Sequence, residues 1–362
     1  MTTRLDALRR FAHVVIAGLL ALHGCAPSAA DRGSPASGKG PNTMTDPHAS
    51  TPGLTLKQIA DLTDLSGTAL AFDHAGKRWA LGDGRTIQLG HDAALERKLN
   101  ASDAVYQLAF SADGKQLFAS PEIYDLVRDA WQPLPSLAQA LAGGLAAPPP
   151  ADQLGVVAAT FAADGKDLVL SVRFQPTREL GRVDDYHGPG ERLLLVGADR
   201  ALRGALYEGD RELRAHAVSD RLIAAGGKVV QVWDRQSLHR VAELKHNLGA
   251  YALAFNPAGD RLAVITAGGE VSIWDPAAGT RLASFTAHQG DGYAIAFHPT
   301  LPIIATGGQD GKLRLWSLTG QAIHEETLGG WVRAVAFDAA GTRLGAATWD
   351  RPPHLHIYAV SP

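Results

Sequence analysis

The stretch from Tyr251 to Trp316 repeats itself. Tyr251-Ala-Leu-Ala-Phe255-Asn-Pro-Ala-Gly259 leads to Ile273-Trp274-Asp275, and Tyr293-Ala-Ile-Ala-Phe297-His-Pro leads to Leu315-Trp316. Phe255 and Phe297 lie 42 residues apart, and so do Trp274 and Trp316. Self-similarity at that period marks a repeat architecture, and a strand-like opening with a Trp-Asp strand end fits one blade of a β-propeller.

Used as a ruler, the first phenylalanine tracks the unit along the chain. Phe72, Phe110, Phe161, Phe255 and Phe337 each open a Phe-x-x-x-Gly turn, closed by Gly76, Gly114, Gly165, Gly259 and Gly341. Phe297 carries Pro299 instead, and a shortened version sits at Val218. Seven units result, of which the second and third match most weakly. Between them run short apolar strands separated by Gly, Asp, Asn and Pro turns. Helical periodicity is confined to Pro135–Leu145.

The units resemble Trp-Asp (WD) repeats over residues 54–362. The resemblance is closest at Phe255 and Phe297, fair at Phe337 and at Val218, which leads to Val232-Trp233-Asp234, and weak in the first three units. It implies a buried hydrogen-bonded tetrad in the unit of Phe297: His288, Thr306, Asp310 and Trp316. There the aspartate orients the histidine, the histidine meets the hydroxyl, and the hydroxyl meets the indole. The unit of Phe255 keeps His246, Thr266 and Trp274, with Gly268 where the aspartate belongs. The family also closes its ring by pairing an N-terminal strand with the last blade. Leu54–Ala60 reads as such a strand, and His356–Val360 as its partner. The expected fold is all-β: a seven-bladed propeller of four-stranded antiparallel blades. With 46% apolar residues and 39 glycines, the composition suits a large core joined by many turns.

Residues 1–25 read as an export signal. Arg4, Arg9 and Arg10 precede the apolar run Phe11–Leu22, and Leu22-His23-Gly24-Cys25 resembles a bacterial lipobox with Cys25 as the lipidation site. Cys25 is the only cysteine, so no disulfide competes for it. The alternative is a plain secretory signal cleaved nearby, for instance after Ala30. Residues 26–53, rich in Pro, Ser, Ala and Gly, read as a disordered tether reaching about 30 Å. Met44 offers an alternative start inside it. By resemblance to sorted lipoproteins, Ala26 after the cysteine favours the outer membrane. The expected location is therefore the bacterial cell envelope, lipid-anchored on the periplasmic side.

Catalytic motifs are missing. There is no Gly-x-Ser-x-Gly elbow, His-Glu-x-x-His pair or phosphate-cradling glycine loop. A net charge of −3 gives no electrostatic basis for a nucleic-acid partner. His354 and His356 alternate on the last strand and share a face. The sequence ties no carboxylate to them, so no metal and no cofactor are expected.

The position four residues before each ruler residue carries more signal. It holds Thr68, Tyr106, Val157, Arg214, Tyr251, Tyr293 and Arg333. In WD propellers this slot lies at the rim of the central channel. Tyr and Arg are the residues enriched in binding hot spots. Trp331, Trp349 and Gln309 are expected on the same face. These side chains either bind a partner or plug the channel mouth. Two insertions, 177–190 and 133–153, are expected to enlarge the face.

The expectation is a non-enzymatic scaffold that binds an envelope protein or peptide, a monomeric propeller within a larger assembly. The alternatives are a propeller-type hydrolase or lactonase, which Asp184, Asp185 and His187 would serve if folded over the channel, and a scaffold that works through its lateral blade surface.

Overall fold

Each ruler residue ends the first strand of a four-stranded antiparallel sheet in the computed structural model. The structure describes residues 54–102, 104–132, 154–162, 165–174, 191–197, 201–209 and 215–361. The seven first strands are Ala69–Phe72, Leu108–Phe110, Leu154–Phe161, Ala215–Val218, Ala250–Phe255, Gly292–Phe297 and Trp331–Phe337. They open blades 1 to 7 in that order. First strands of neighbouring blades pack together around a central channel, and that of blade 7 meets that of blade 1. The protein is a seven-bladed β-propeller.

The five Phe-x-x-x-Gly turns share one geometry. Gly76, Gly114, Gly165, Gly259 and Gly341 all have φ between 66° and 73°, a region that glycine enters without a Cβ clash. Each glycine N–H donates to the carbonyl three residues back, as Gly259 does to Asn256 at 2.9 Å. Blade 6 lacks this glycine and uses His298. Its Nδ1 accepts from the N–H groups of Thr300 and Leu301 at 3.2 and 3.1 Å, and its Nε2 donates to the Gly341 carbonyl of blade 7 at 3.1 Å.

The inner strands are buried on both faces. Leu222–Gly226 and Leu262–Thr266 are buried throughout, because every blade is covered by a neighbour on each side. The outer strands, such as Thr280–Thr286, alternate between exposed and half-buried positions. Among the described residues the core divides into seven apolar clusters, and each lies between two adjacent blades. Blades therefore cohere through contacts with their neighbours and depend on a closed ring.

Closure comes from Thr55–Thr63. This strand pairs antiparallel with His354–Ser361, the last strand of blade 7, from Thr55 opposite Ser361 to Thr63 opposite His354. Leu54 and Leu56 join the cluster between blades 6 and 7, and Ala60, Leu62 and Leu65 join that between blades 7 and 1. The leader, the tether, the short helix at Pro135–Leu145 and both insertions, with Asp184, Asp185 and His187, lie outside the described residues, as do Cys25 and Arg214.

Candidate functional site

The rim slots owe their direction to a backbone irregularity. In blades 5, 6 and 7 the register between the first two strands shifts by one residue, at Tyr251, Tyr293 and Arg333. Blade 3 shifts in the same way at Val157. In blades 5 to 7 such a bulge re-aims its extra residue. Thr68, Tyr106, Tyr251, Tyr293 and Arg333 all line the central channel, a cavity of about 280 Å³ to which every blade contributes.

On blades 5 to 7 the slots merge into one aromatic ladder. Ring centroids lie 5.7 Å apart for Tyr251–Tyr293, 5.8 Å for Tyr293–Trp331 and 5.7 Å for Trp331–Trp349. The Arg333 guanidinium sits 4.3 Å from the centre of the Tyr293 ring and 5.3 Å from that of Trp349. Cation–π contacts at these distances hold a guanidinium in place, and a side-chain hydrogen bond with the Tyr293 hydroxyl adds to them. Tyr251 and Trp349 stay 47% and 46% exposed, so the ladder has open aromatic surface at both ends. Burial and the nearby Asp291 raise the Tyr293 phenol above its ordinary range, which keeps it neutral against Arg333.

Two other sequence candidates stand apart from the ladder. Tyr106 packs against the core cluster between blades 2 and 3. Gln309 is tied into blade 6, its Oε1 accepting from the Asp291 N–H at 3.2 Å and its own N–H donating to the Asp291 carbonyl at 2.7 Å. His216 also lines the channel, which the slot pattern missed because it is not a slot residue. Its Nε2 lies 2.8 Å from the Ser171 hydroxyl. Ser171 is fully buried, so this pair fastens blade 3 to blade 4 and offers no accessible nucleophile.

In blade 6, His288, Thr306, Asp310 and Trp316 form a continuous chain. The Trp316 indole N–H donates to the Thr306 hydroxyl at 3.0 Å, Thr306 donates to His288 Nε2 at 2.9 Å, and His288 Nδ1 donates to Asp310 at 2.8 Å. The chain fixes the tautomer, since Nδ1 must carry the proton. Sequence reasoning missed Arg314. It donates to Asp310 at 2.7 Å and to the Ala287 carbonyl at 2.8 Å, and lies two residues before Trp316 on the same strand face. Burial pushes the Asp310 carboxyl up, but Arg314 and His288 outweigh it and hold the group below its ordinary 3.8.

Blade 5 uses a different hydroxyl from the one expected. Trp274 donates to Ser272 at 2.8 Å, and Ser272 reaches His246 Nδ1 at 3.5 Å. Thr266 instead donates to the Glu270 carbonyl within its own hairpin. Ser272 occupies the slot two residues before the tryptophan, where blade 6 has Arg314.

Burial lowers His246, His288 and His298 below the ordinary 6.5. Their folded-state values lie under the unfolded ones, so acid protonates the unfolded chain first. Their contribution is fully present above pH 6.5 and is lost as pH falls below it, with a slope of up to about 1.4 kcal/mol per pH unit for each group. Urea midpoints measured from pH 8 to pH 5 should fall from near pH 6.5 downward. The fall should be shallower in His298→Gln, whose side chain does not titrate.

Comparison with known proteins agrees with this architecture. Residues 279–317 match the WD domain, G-beta repeat. The matched stretch runs from the outer strand of blade 5 through the third strand of blade 6, the blade with the full tetrad. The chain is 33% identical over 116 residues to the eukaryotic translation initiation factor 3 subunit I of Pyricularia oryzae, and equally to that of Aspergillus fumigatus, covering 32% of this chain and 34% of each relative. It is 34% identical over 113 residues to the pre-mRNA-processing factor 19 homolog 2 of Arabidopsis thaliana, 31% of this chain and 21% of the plant protein. The chain thus spans about a third or less of the length of these curated relatives.

These relatives correct the expected location. They are eukaryotic initiation and pre-mRNA-processing factors, which conflicts with a bacterial lipoprotein, a periplasmic site and an outer-membrane anchor. A basic start, a short apolar run and one cysteine form a pattern of low information, whereas the repeat constrains a whole sheet.

Proposed function

We propose that the chain is a non-enzymatic interaction scaffold that holds a protein or peptide against the ladder of blades 5 to 7. The observation that carries this reading is Arg333, sandwiched between Tyr293 and Trp349 and flanked by exposed Tyr251. A guanidinium stacked between rings is pre-organised to pair with a carboxylate or a backbone carbonyl, and the rings beside it supply large contact area at low entropic cost. A partner with an acidic group next to an aromatic or aliphatic side chain fits this surface. The relatives add support for a place within an assembly, since one of them is named as a subunit of an initiation factor.

The test is a peptide-display selection on the wild-type chain, followed by affinity measurements on variants. Selected peptides should carry a carboxylate beside an apolar side chain. Arg333→Ala should weaken them at least about 30-fold, the scale of a hot-spot residue. Arg333→Lys should lose nearly as much, because lysine lacks the planar fork. Equal affinity for wild type, Arg333→Ala and Tyr251→Ala would remove the ladder as the binding surface.

A further inference from the structure

The ring closure carries a second cluster, away from the ladder. A bulge between Gln58 and Ala60 shifts the register of the closing strand, so that Asp61 stands opposite His356 and Thr63 opposite His354. Asp61 thereby shares a face with both histidines. The structure supplies the carboxylate that the sequence did not tie to them. One oxygen, Asp61 Oδ1, lies 2.7 Å from His354 Nδ1 and 3.6 Å from His356 Nδ1. The ligating atoms of the three side chains all fall within 4.8 Å of one another. The two imidazoles are stacked nearly parallel, at 5.4 Å and 6°.

As a hydrogen-bonded group the arrangement is incomplete. The Gln58 amide nitrogen lies 3.4 Å from His356 Nδ1, and His356 Nε2 is buried without a hydrogen-bond partner. If Nδ1 accepts from Gln58, its lone pair faces the Asp61 carboxylate, and Nε2–H is a buried donor with nothing to meet. The His356 residue is only 7% exposed, so bulk water does not relieve the first problem, whereas an ion bound at Nδ1 would take up that lone pair; Nε2–H keeps no partner in either case.

We propose that Asp61, His354 and His356 bind a first-row divalent cation, zinc or a chemically similar ion, that staples the closing strand to blade 7. Two imidazole nitrogens and one carboxylate select such ions over calcium or magnesium, which prefer all-oxygen sites. Tetrahedral bonds of about 2.0–2.1 Å place neighbouring ligand atoms about 3.3 Å apart, so the His354–Asp61 contact must open by roughly 0.6 Å. Rotating the Gln58 amide by half a turn turns its oxygen toward the ion as a fourth ligand, and a water serves equally well. The ligands come from the two strands whose pairing closes the ring. An ion bound there stabilises the closed propeller by mass action.

The test uses the full chain freed of metal by a chelator and titrated with Zn²⁺ and with Co²⁺. The protein should take up one ion tightly, with the absorption of a nitrogen- and oxygen-ligated cobalt centre. Its thermal midpoint should rise by about 4 °C at a hundredfold excess over the dissociation constant. Asp61→Asn and His354→Gln, both partly exposed positions, should keep the circular dichroism of the fold and weaken binding at least about tenfold. The proposal is overturned if the wild type takes up neither ion. It is equally overturned if both variants bind and are stabilised as the wild type is, since the uptake then belongs to others of the 14 histidines. Neither result bears on the ladder.

Discussion

Deleting the residues ahead of Ser66 should lower the stability of the propeller by at least about 5 kcal/mol and abolish its single cooperative transition. Leu54 and Leu65 are only 5% and 4% exposed, and Leu56, Ala60 and Leu62 pack on the same two clusters. A fully buried leucine contributes about 2 kcal/mol, so the apolar loss alone approaches the whole margin of an ordinary domain. The deletion also strips the backbone partners from His354–Ser361 and turns it into an open sheet edge. Both junctions of blade 7 weaken together, because the strand feeds one of them with Leu54 and Leu56 and the other with Ala60, Leu62 and Leu65. Urea unfolding and size-exclusion chromatography of the shortened chain measure the effect. A peptide of residues 54–65 added in trans should restore part of the lost stability by strand addition. A shortened chain that unfolds at the wild-type midpoint would show that the ring holds without this strand.

The fold was legible because the repeat is written in local signals. A terminal aromatic or aliphatic residue, a left-handed glycine and a Trp-Asp strand end are each set by the few residues around them, and all seven ruler positions end a first strand. The closing strand was legible for a different reason. It is an extra fourth-strand pattern, and a ring has one vacancy for it. The site was only half legible. The slot rule found Tyr251, Tyr293 and Arg333, since the bulge recurs at a fixed distance from the ruler residue. It could not tell that Tyr106 packs against the core while the other three join one ladder with Trp331 and Trp349, because that depends on which blades adjoin. Asp61 was invisible for the same reason at longer range. Its place opposite His356 depends on one bulge residue in a strand pairing that spans almost the whole propeller.

Replacing Asp310 with alanine should cost about 3 kcal/mol, the largest effect expected of any single side chain in the tetrad. Asp310 answers two cations or donors at once: His288 Nδ1 on one oxygen and the Arg314 guanidinium on the other. The side chains of Asp310 and Arg314 are 12% and 11% exposed, so removing the carboxylate leaves a nearly buried positive charge with only the more exposed Glu325 beside it. His288 loses the acceptor that fixes its tautomer, and the bonds through Thr306 to Trp316 lose their direction with it. Most of the cost is the stranded charge, which a second substitution can show. Asp310→Ala combined with Arg314→Met should recover a good part of the stability lost by Asp310→Ala alone. Equal stability of the single and double variants in urea would place the cost in the histidine chain instead. Blade 5 shows why this device is not simply copied from blade to blade. The position matching Asp310 is Gly268, at φ 92°, where a Cβ would come within 2.7 Å of Leu248. An aspartate introduced there meets backbone strain before it can reach His246, so Ser272 serves that histidine from the neighbouring strand.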